Sequence, residues 1–323
     1  MRLGLIGCGL IGHKRLAAAA GHQLVQAADP NADAARGLTA KFGGGWSTDP
    51  QDVIAADVDL VIVATPHDAL AKWAIAALEA GKHVLVEKPA GRTVGEIRAI
   101  ADAAARCRRF CKVGFNHRFH PAFLKARAIV DAGGIGDPLY VRGRYGHGGR
   151  LGMEREWRCD REKSGGGQGI DQAPHLIDLS RWFLGDLELA FGFAPTQFWD
   201  MTVEDNVHVA LRGTGDRIAW LHASWTEWKN LFSFEIFGRV GKLAIDGLGG
   251  SYGVERLTWY QMTPAMGPPE TTIWEYPGAD DSFALEFQDM MQAIADGRAP
   301  QGGLDDALAV AVVIEKLYAD TGR

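Results

Sequence analysis

"RLGLIGCGLIGHKRLAAAA", residues 2–20, decides the fold. A short apolar run from Arg2 to Gly7 leads through Gly7-Cys8-Gly9-Leu10-Ile11-Gly12 into an alanine-rich stretch that favours helix. The spacing is G-x-G-x-x-G at a strand-to-helix junction, and each glycine has its own physical task. Gly7 permits the tight turn, Gly9 lets backbone approach a pyrophosphate, and Gly12 allows helix and strand to pack closely. The helix entered at Leu10 and Ile11 turns unpaired N–H groups toward the phosphates. Glycine-rich turns are common, so the motif alone is weak. It gains weight from a second run, "HQLVQAAD" (22–29), which ends at Asp29, about 20 residues past the turn, where a ribose-binding carboxylate belongs. Asp29 would accept the adenosine ribose hydroxyls and repel a 2′-phosphate, so NAD is expected rather than NADP. Its plainer role is N-cap of a helix in "NADAARGLTAKFG", and both roles are compatible.

The strand–helix rhythm continues. "VDLVIVAT" (58–65), "HVLVEKP" (83–89) and "FCKVGFN" (110–116) read as strands, with helices in "HDALAKWAIAALEAG" and "TVGEIRAIADAAARC" between them. Such alternation predicts a parallel, doubly wound sheet with right-handed crossovers over residues 1–120. Ligands of these sheets bind beyond the carboxyl ends of the strands, which selects Thr65 and Pro66 after one strand and Glu87 and Lys88 after another. A lysine followed by Pro89 ends its strand, and its ammonium is expected at the mouth of the crevice.

The rhythm changes after residue 120. A helix in "HPAFLKARAIVDAGGIG" precedes "LYVRGRYGHG", "LELAFGFA", "EDNVHVALRG", "RIAWLHASWTEW", "LFSFEIFGR" and "RLTWYQM", strands rich in aromatic and β-branched residues. The fold class is therefore α/β: a Rossmann domain over 1–120, then an α+β domain over 121–323 with a large open, mostly antiparallel sheet. The final helix, "GLDDALAVAVVIEKLYAD" (303–320), is apolar around most of its circumference and is expected to be buried, on the Rossmann domain or on a subunit partner.

Composition bounds the function. The chain has 323 residues, 47% hydrophobic and 23% charged, with a formal charge of −6 that disfavours nucleic acid as a partner. No apolar run reaches the roughly 18 to 20 residues needed to span a bilayer. The start reads as a strand without a leader, so a cytoplasmic location is expected. Four cysteines, with Cys107 and Cys111 as a lone C-x3-C, suggest neither a disulfide scaffold nor a metal site. The stretch from Arg142 to Lys163 carries six arginines and one lysine against four acids. It reads equally as an anion-binding segment, with Arg150 and Trp157 as substrate-binding candidates, or as a solvated loop with internal ion pairs. Tryptophans 157, 220, 225, 228 and 259 fit core and sheet packing better than a sugar-stacking platform.

The chain resembles the Gfo/Idh/MocA oxidoreductases, which include glucose-fructose oxidoreductase and inositol dehydrogenase. The resemblance rests on "GLIGCGLIG" at the start, "AGKHVLVEKP" (80–89), "VGFNHRFHP" (113–121) and "GGGQGIDQAPHLIDLSRWFLG" (165–185). It implies Lys88, Asp171 and His175 as the catalytic lysine, aspartate and histidine, and it places Asn116 and Arg118 near the nicotinamide and the substrate mouth. It also implies homodimers or homotetramers through the second sheet. Two departures stand out. Leu70 occupies a position where many relatives have histidine, and Ala173-Pro174 lies where many have a glycine within D-x-G-x-H. Read so, the chain is an NAD-dependent sugar, cyclitol or nucleotide-sugar dehydrogenase. His175 would be the general base and Lys88 the stabiliser of developing alkoxide. Asp171 would hold a neighbouring substrate hydroxyl or steady the pair. The competing class is a non-catalytic dinucleotide or sugar sensor, which would need none of the three. The glycines before Asp171 read as a flexible approach that brings backbone close to substrate, and Pro174 fits the first turn of the helix carrying His175.

Overall fold

A computed structural model of the protein describes residues 1–265 and 267–323. By contact, the chain separates into two compact units. The first comprises residues 1–115, 162–165 and 283–311; the second comprises 116–161, 166–282 and 312–323. A single cut near residue 120 is thus too simple, because a helical segment past residue 282 returns to the first unit.

In the first unit, β1 (Arg2–Ile6), β2 (Gln23–Ala28), β3 (Gly45–Ser47), β4 (Leu60–Val63), β5 (His83–Val86) and β6 (Cys111–Val113) form one sheet. Its order is β3-β2-β1-β4-β5-β6, parallel throughout. Helices α1 (Leu10–Ala18), α2 (Ala32–Phe42), α3 (Gln51–Ala55), α4 (His67–Glu79) and α5 (Val94–Cys107) make the connections. β4 is buried at all four positions, as expected of a central parallel strand with both faces covered. The order reverses direction between β1 and β4, and the Gly7 turn lies at that switch point.

In the second unit, α6 (Pro121–Asp131) precedes the long strand β7 (Pro138–Gly146). The residues of the short helix α7 (Arg161–Ser164) are divided between the two units, and α8 (Gln168–Asp171) and α9 (Ala173–Leu184) follow it. Then come β8 (Leu187–Phe193), β9 (Asn206–Gly213), β10 (Ile218–Ser224), β11 (Leu231–Gly238), β12 (Gly241–Asp246), β13 (Glu255–Gln261) and β14 (Glu270–Tyr276). The eight strands form a sheet in the order β14-β13-β12-β11-β7-β10-β9-β8. It is antiparallel except where β7 runs beside β10. Alternation along β11 gives Phe232, Phe234 and Ile236 to the buried face. Phe191, Phe193 and Trp220 are 50%, 62% and 52% exposed.

The last two helices are α10 (Ser282–Asp296) and α11 (Leu304–Thr321), and the boundary between units falls within α11. Phe287 and Met290 of α10 join the core formed by Leu3, Leu5, Leu60, Ile62 and Leu85. Polar groups anchor the same helix. Buried Arg15 is ion-paired to Glu87 and to Glu286, and buried Lys112 lies 3.1 Å from Asp289. Among the described residues, no helix is long and apolar enough to cross a membrane.

Candidate active site

The first unit supplies a glycine turn with the shape a phosphate cradle requires. Gly7 has φ +98°, and a Cβ there would sit 2.4 Å from the Ala64 carbonyl oxygen, so only glycine fits against the end of β4. A Cβ on Gly12 would lie 2.2 Å from the Gly7 carbonyl oxygen, which fixes the close approach of α1 to the turn. Gly9 differs: nothing lies within 4 Å of its would-be Cβ, so the space before the N-terminus of α1 is open, as backbone contact with a diphosphate requires. Leu10, the first residue of the helix, is exposed, and Ile11 is half-buried.

Asp29 closes this cradle. One carboxylate oxygen accepts the Cys8 N–H at 2.8 Å and the other accepts the Asn31 N–H at 2.8 Å, which holds the half-buried side chain beside the glycine turn. The N-cap of α2 is Asn31, whose side chain accepts from the N–H groups of Asp33 and Ala34. Asp29 is therefore not the cap; its carboxylate bridges the glycine turn and the residue that caps α2. The glycines, the open helix end and this carboxylate fit a dinucleotide.

Thr65 and Pro66 follow β4, and the Thr65 hydroxyl donates to the Pro66 carbonyl at 3.0 Å. Glu87 follows β5, where its carboxylate pairs with Arg15, a partner that sequence reasoning missed. Lys88 is half-buried and its bond to Pro89 is cis. His67 is buried with Nδ1 at 2.8 Å from the Ser164 carbonyl, and Leu70 is buried in α4.

The second unit holds Asp171 and His175. Asp171 ends α8, and His175 lies in the first turn of α9 with Pro174 before it, as the proline implied. The glycine run is not a flexible approach. A Cβ on Gly166 would lie 2.0 Å from the Tyr318 hydroxyl, one on Gly167 would lie 1.9 Å from the Glu204 carbonyl oxygen, and one on Gly169 would lie 2.7 Å from the Tyr318 hydroxyl. These glycines are required by packing. Glu204, fully buried, accepts the N–H groups of Gly167 and Gly169 at 2.9 Å each and the Tyr318 hydroxyl at 2.6 Å, all on one carboxylate oxygen. Burial and then the Glu204 carboxylate push the Tyr318 phenol well above its ordinary value, which keeps it a donor.

Around His175, which is 5% exposed, stands a cluster of rings. The His117 imidazole stacks on it with centroids 3.7 Å apart and planes at 16°. Tyr145 meets both imidazoles edge-on or tilted, and its hydroxyl is hydrogen-bonded to that of Tyr252. Burial first, then Tyr252, then the charges of Asp171 and Asp280 hold the Tyr145 phenol well above its usual range. The Asp171 carboxylate also bears on His147, whose imidazole burial pulls below its ordinary value against that charge. His147 Nδ1 accepts the Gly149 N–H at 2.9 Å, so its Nε2 carries the proton in the neutral ring. A carboxylate, a buried imidazole and neutral phenols in one cluster can hold polyol hydroxyls and take up a proton.

Other residues singled out in the sequence lie apart from this cluster or brace it. Asn116 donates to the Ser282 hydroxyl at 2.8 Å. Arg118 forms a buried fork with Asp178 of α9, Nε to Oδ2 at 2.7 Å, and so braces the helix that carries His175. In the arginine-rich stretch, Arg150 pairs with Glu156, Arg142 with Glu235 and Arg155 with Glu154, while Arg158 lies over the Trp157 ring at 4.5 Å. Arg150 and Arg155 thus pair within the stretch, and Arg142 pairs outside it. Of the tryptophans, Trp225 is core, whereas Trp220 and Trp228 are exposed.

Two family models match in succession: "Oxidoreductase family, NAD-binding Rossmann fold" over residues 1–115 and "GFO/IDH/MocA C-terminal domain" over residues 123–244. A levoglucosan dehydrogenase of Pseudarthrobacter phenanthrenivorans is 26% identical, over 92% of this chain and 87% of that one. A scyllo-inositol 2-dehydrogenase (NAD(+)) of Bacillus subtilis is 33% identical over 57% of this chain and 54% of that one. A solved structure of levoglucosan dehydrogenase in complex with NADH and levoglucosan superposes with a TM-score of 0.90 at 25% identity, covering 100% of this chain and 97% of that one.

Proposed function

Because the chain belongs to the Gfo/Idh/MocA oxidoreductases, an NAD-binding family, we propose that it oxidises a secondary hydroxyl of a sugar or cyclitol to the ketone. Bound NAD supplies the hydride acceptor. The chain's own residues supply the rest: the Gly7–Gly12 turn and Asp29 bind and orient the dinucleotide, and Asp171 holds a substrate hydroxyl. His175 Nε2 or Nδ1 takes the proton of the reacting hydroxyl, a task suited to an imidazole near neutral pH. The Lys88 ammonium stabilises the alkoxide as charge develops.

The observation that carries this reading is the buried imidazole of His175 in a cluster under the charge of Asp171, on a chain whose other unit is built to hold a dinucleotide. The relatives named for levoglucosan and scyllo-inositol, both uncharged, support this substrate class. The carboxylate partners of Arg142, Arg150 and Arg155 support a neutral polyol over an anionic one. The open face with Phe191, Phe193 and Trp220 supports self-association through the second sheet; a light-scattering mass of one chain would contradict that.

The test is kinetic. His175→Ala and Lys88→Ala should each lower kcat by about a hundredfold or more while NAD still binds, given the worth of general acid–base and electrostatic catalysis. Wild-type turnover in either variant would remove that residue from the mechanism.

A further inference from the structure

His117 sits in the turn Asn116–Phe119, between Asn116 and Arg118. Its ring is 5% exposed, lies flat on His175, and has few ways to move: Tyr145 packs at 5.2 Å, Phe232 at 5.9 Å and His120 edge-on at 5.5 Å. Its Nδ1 lies 3.3 Å from the Asn116 side-chain oxygen. The Asn116 amide nitrogen donates to Ser282, so the oxygen faces His117 and accepts its Nδ1–H.

We infer that His117 is a positioning residue for the base, stacking on His175 to fix the plane of its imidazole and to let the two rings hold one proton between them. The inference rests on the reading of His175 as the base. Two imidazolium rings in face-to-face contact repel strongly in a buried site, so a proton on one disfavours a proton on the other. A proton held on His117 thereby keeps His175 neutral, and able to accept a proton, to a lower pH than a lone imidazole in that place. Several charged and titratable groups near the pair have partners of their own. Arg118 is neutralised by Asp178, His120 is bonded to Glu255 at 2.8 Å with Asp280 3.9 Å from its other nitrogen, and Tyr145 stays protonated. The step the stack suppresses is the second proton on the pair.

The experiment follows the imidazole signals of the two histidines by NMR against pH, in the wild type and in His117→Phe, which keeps a flat ring on His175 but removes the titrating nitrogen. The wild type should show two coupled steps separated by more than one pH unit, and His117→Phe a single His175 step with its midpoint raised by about a unit or more. The acid limb of the oxidation rate should move by the same amount. His117→Gln, which removes the ring altogether, should raise the midpoint likewise and also lower kcat with little change in NAD affinity. Independent single steps in the wild type, or an unmoved His175 midpoint in either variant, would overturn the inference. Failure of the base assignment is seen separately, as full turnover in His175→Ala.

Discussion

The Tyr318 hydroxyl, five residues from the end of the chain, donates at 2.6 Å to the buried carboxylate of Glu204, and the same oxygen holds the backbone of Gly167 and Gly169. The segment leading to Asp171 and His175 is therefore placed by a carboxylate and a phenol from distant parts of the sequence. Gly167→Ala would drive a methyl into the Glu204 carbonyl and should shift residues 168–175. We expect kcat to fall at least tenfold and the melting temperature to drop, with NAD affinity retained. Tyr318→Phe, which removes one hydrogen bond to a charged acceptor, should cost about 1.5–3 kcal/mol in urea unfolding. Unchanged kinetics in Gly167→Ala would show that the loop's position is not critical.

Asp29 makes a separable prediction. Asp29→Asn keeps the side chain's volume, removes the charge that repels a 2′-phosphate, and weakens the acceptors offered to the ribose. NAD affinity should fall roughly ten- to a hundredfold, corresponding to the roughly 1.5–3 kcal/mol of hydrogen bonds to a charged group. The preference for NAD over NADP should narrow. Isothermal titration with both dinucleotides checks this; undiminished discrimination would assign it to other residues.

The buried Arg15 is the keystone of the attachment of α10 to the first unit. Burial works against its charge, and Glu286 and Glu87 more than offset that. Glu286 remains above its ordinary value because burial outweighs Arg15. Arg15→Met would leave two carboxylates facing one another without their cation, a loss of about 3–5 kcal/mol by the usual cost of breaking a buried pair. Replacing all three charges, as Arg15→Met with Glu87→Gln and Glu286→Gln, should recover part of it. Denaturant midpoints of the two proteins decide the matter.

Acid should destabilise the second unit through His222. Burial, then His208 stacked on it at 4.1 Å, then Arg144 lower this imidazole from 6.5 to about 4. Between those values the unfolded chain binds the proton and the folded one does not, so stability is complete above about pH 6.5 and declines as pH falls toward 4. The melting temperature should fall across that window in the wild type and less in His222→Gln. An equal fall in both would assign the acid sensitivity elsewhere.

Much of the fold was legible in the sequence because its signals are local. The glycine turn, Asp29 and the apolar strands through Val113 each announce themselves within a few residues, and the lysine after β5 is marked by the proline that ends the strand. The rest is long-range or weakly patterned. β14 reads "ETTIWEY", an edge strand whose residues are all exposed or half-exposed, so it lacks apolar alternation. α10 returns to the first unit through Phe287, Met290 and Glu286, whose partners lie over 200 residues earlier. The glycines before Asp171 looked like freedom and are contact requirements set by Glu204 and Tyr318. His117 was hidden for the same reason: only the folded chain brings it onto His175.

The central claim is that the chain moves a hydride from a neutral polyol to NAD. Its most direct test is the absorbance of reduced nicotinamide when the full chain, saturated with NAD, is offered a panel of inositols, aldoses and anhydrosugars, with uronates and nucleotide sugars as the charged comparison. The account predicts NADH formation with one or more uncharged members, lost in His175→Ala. NAD bound at saturation with no reduction across the whole panel, or reduction by the charged substrates alone, would contradict it.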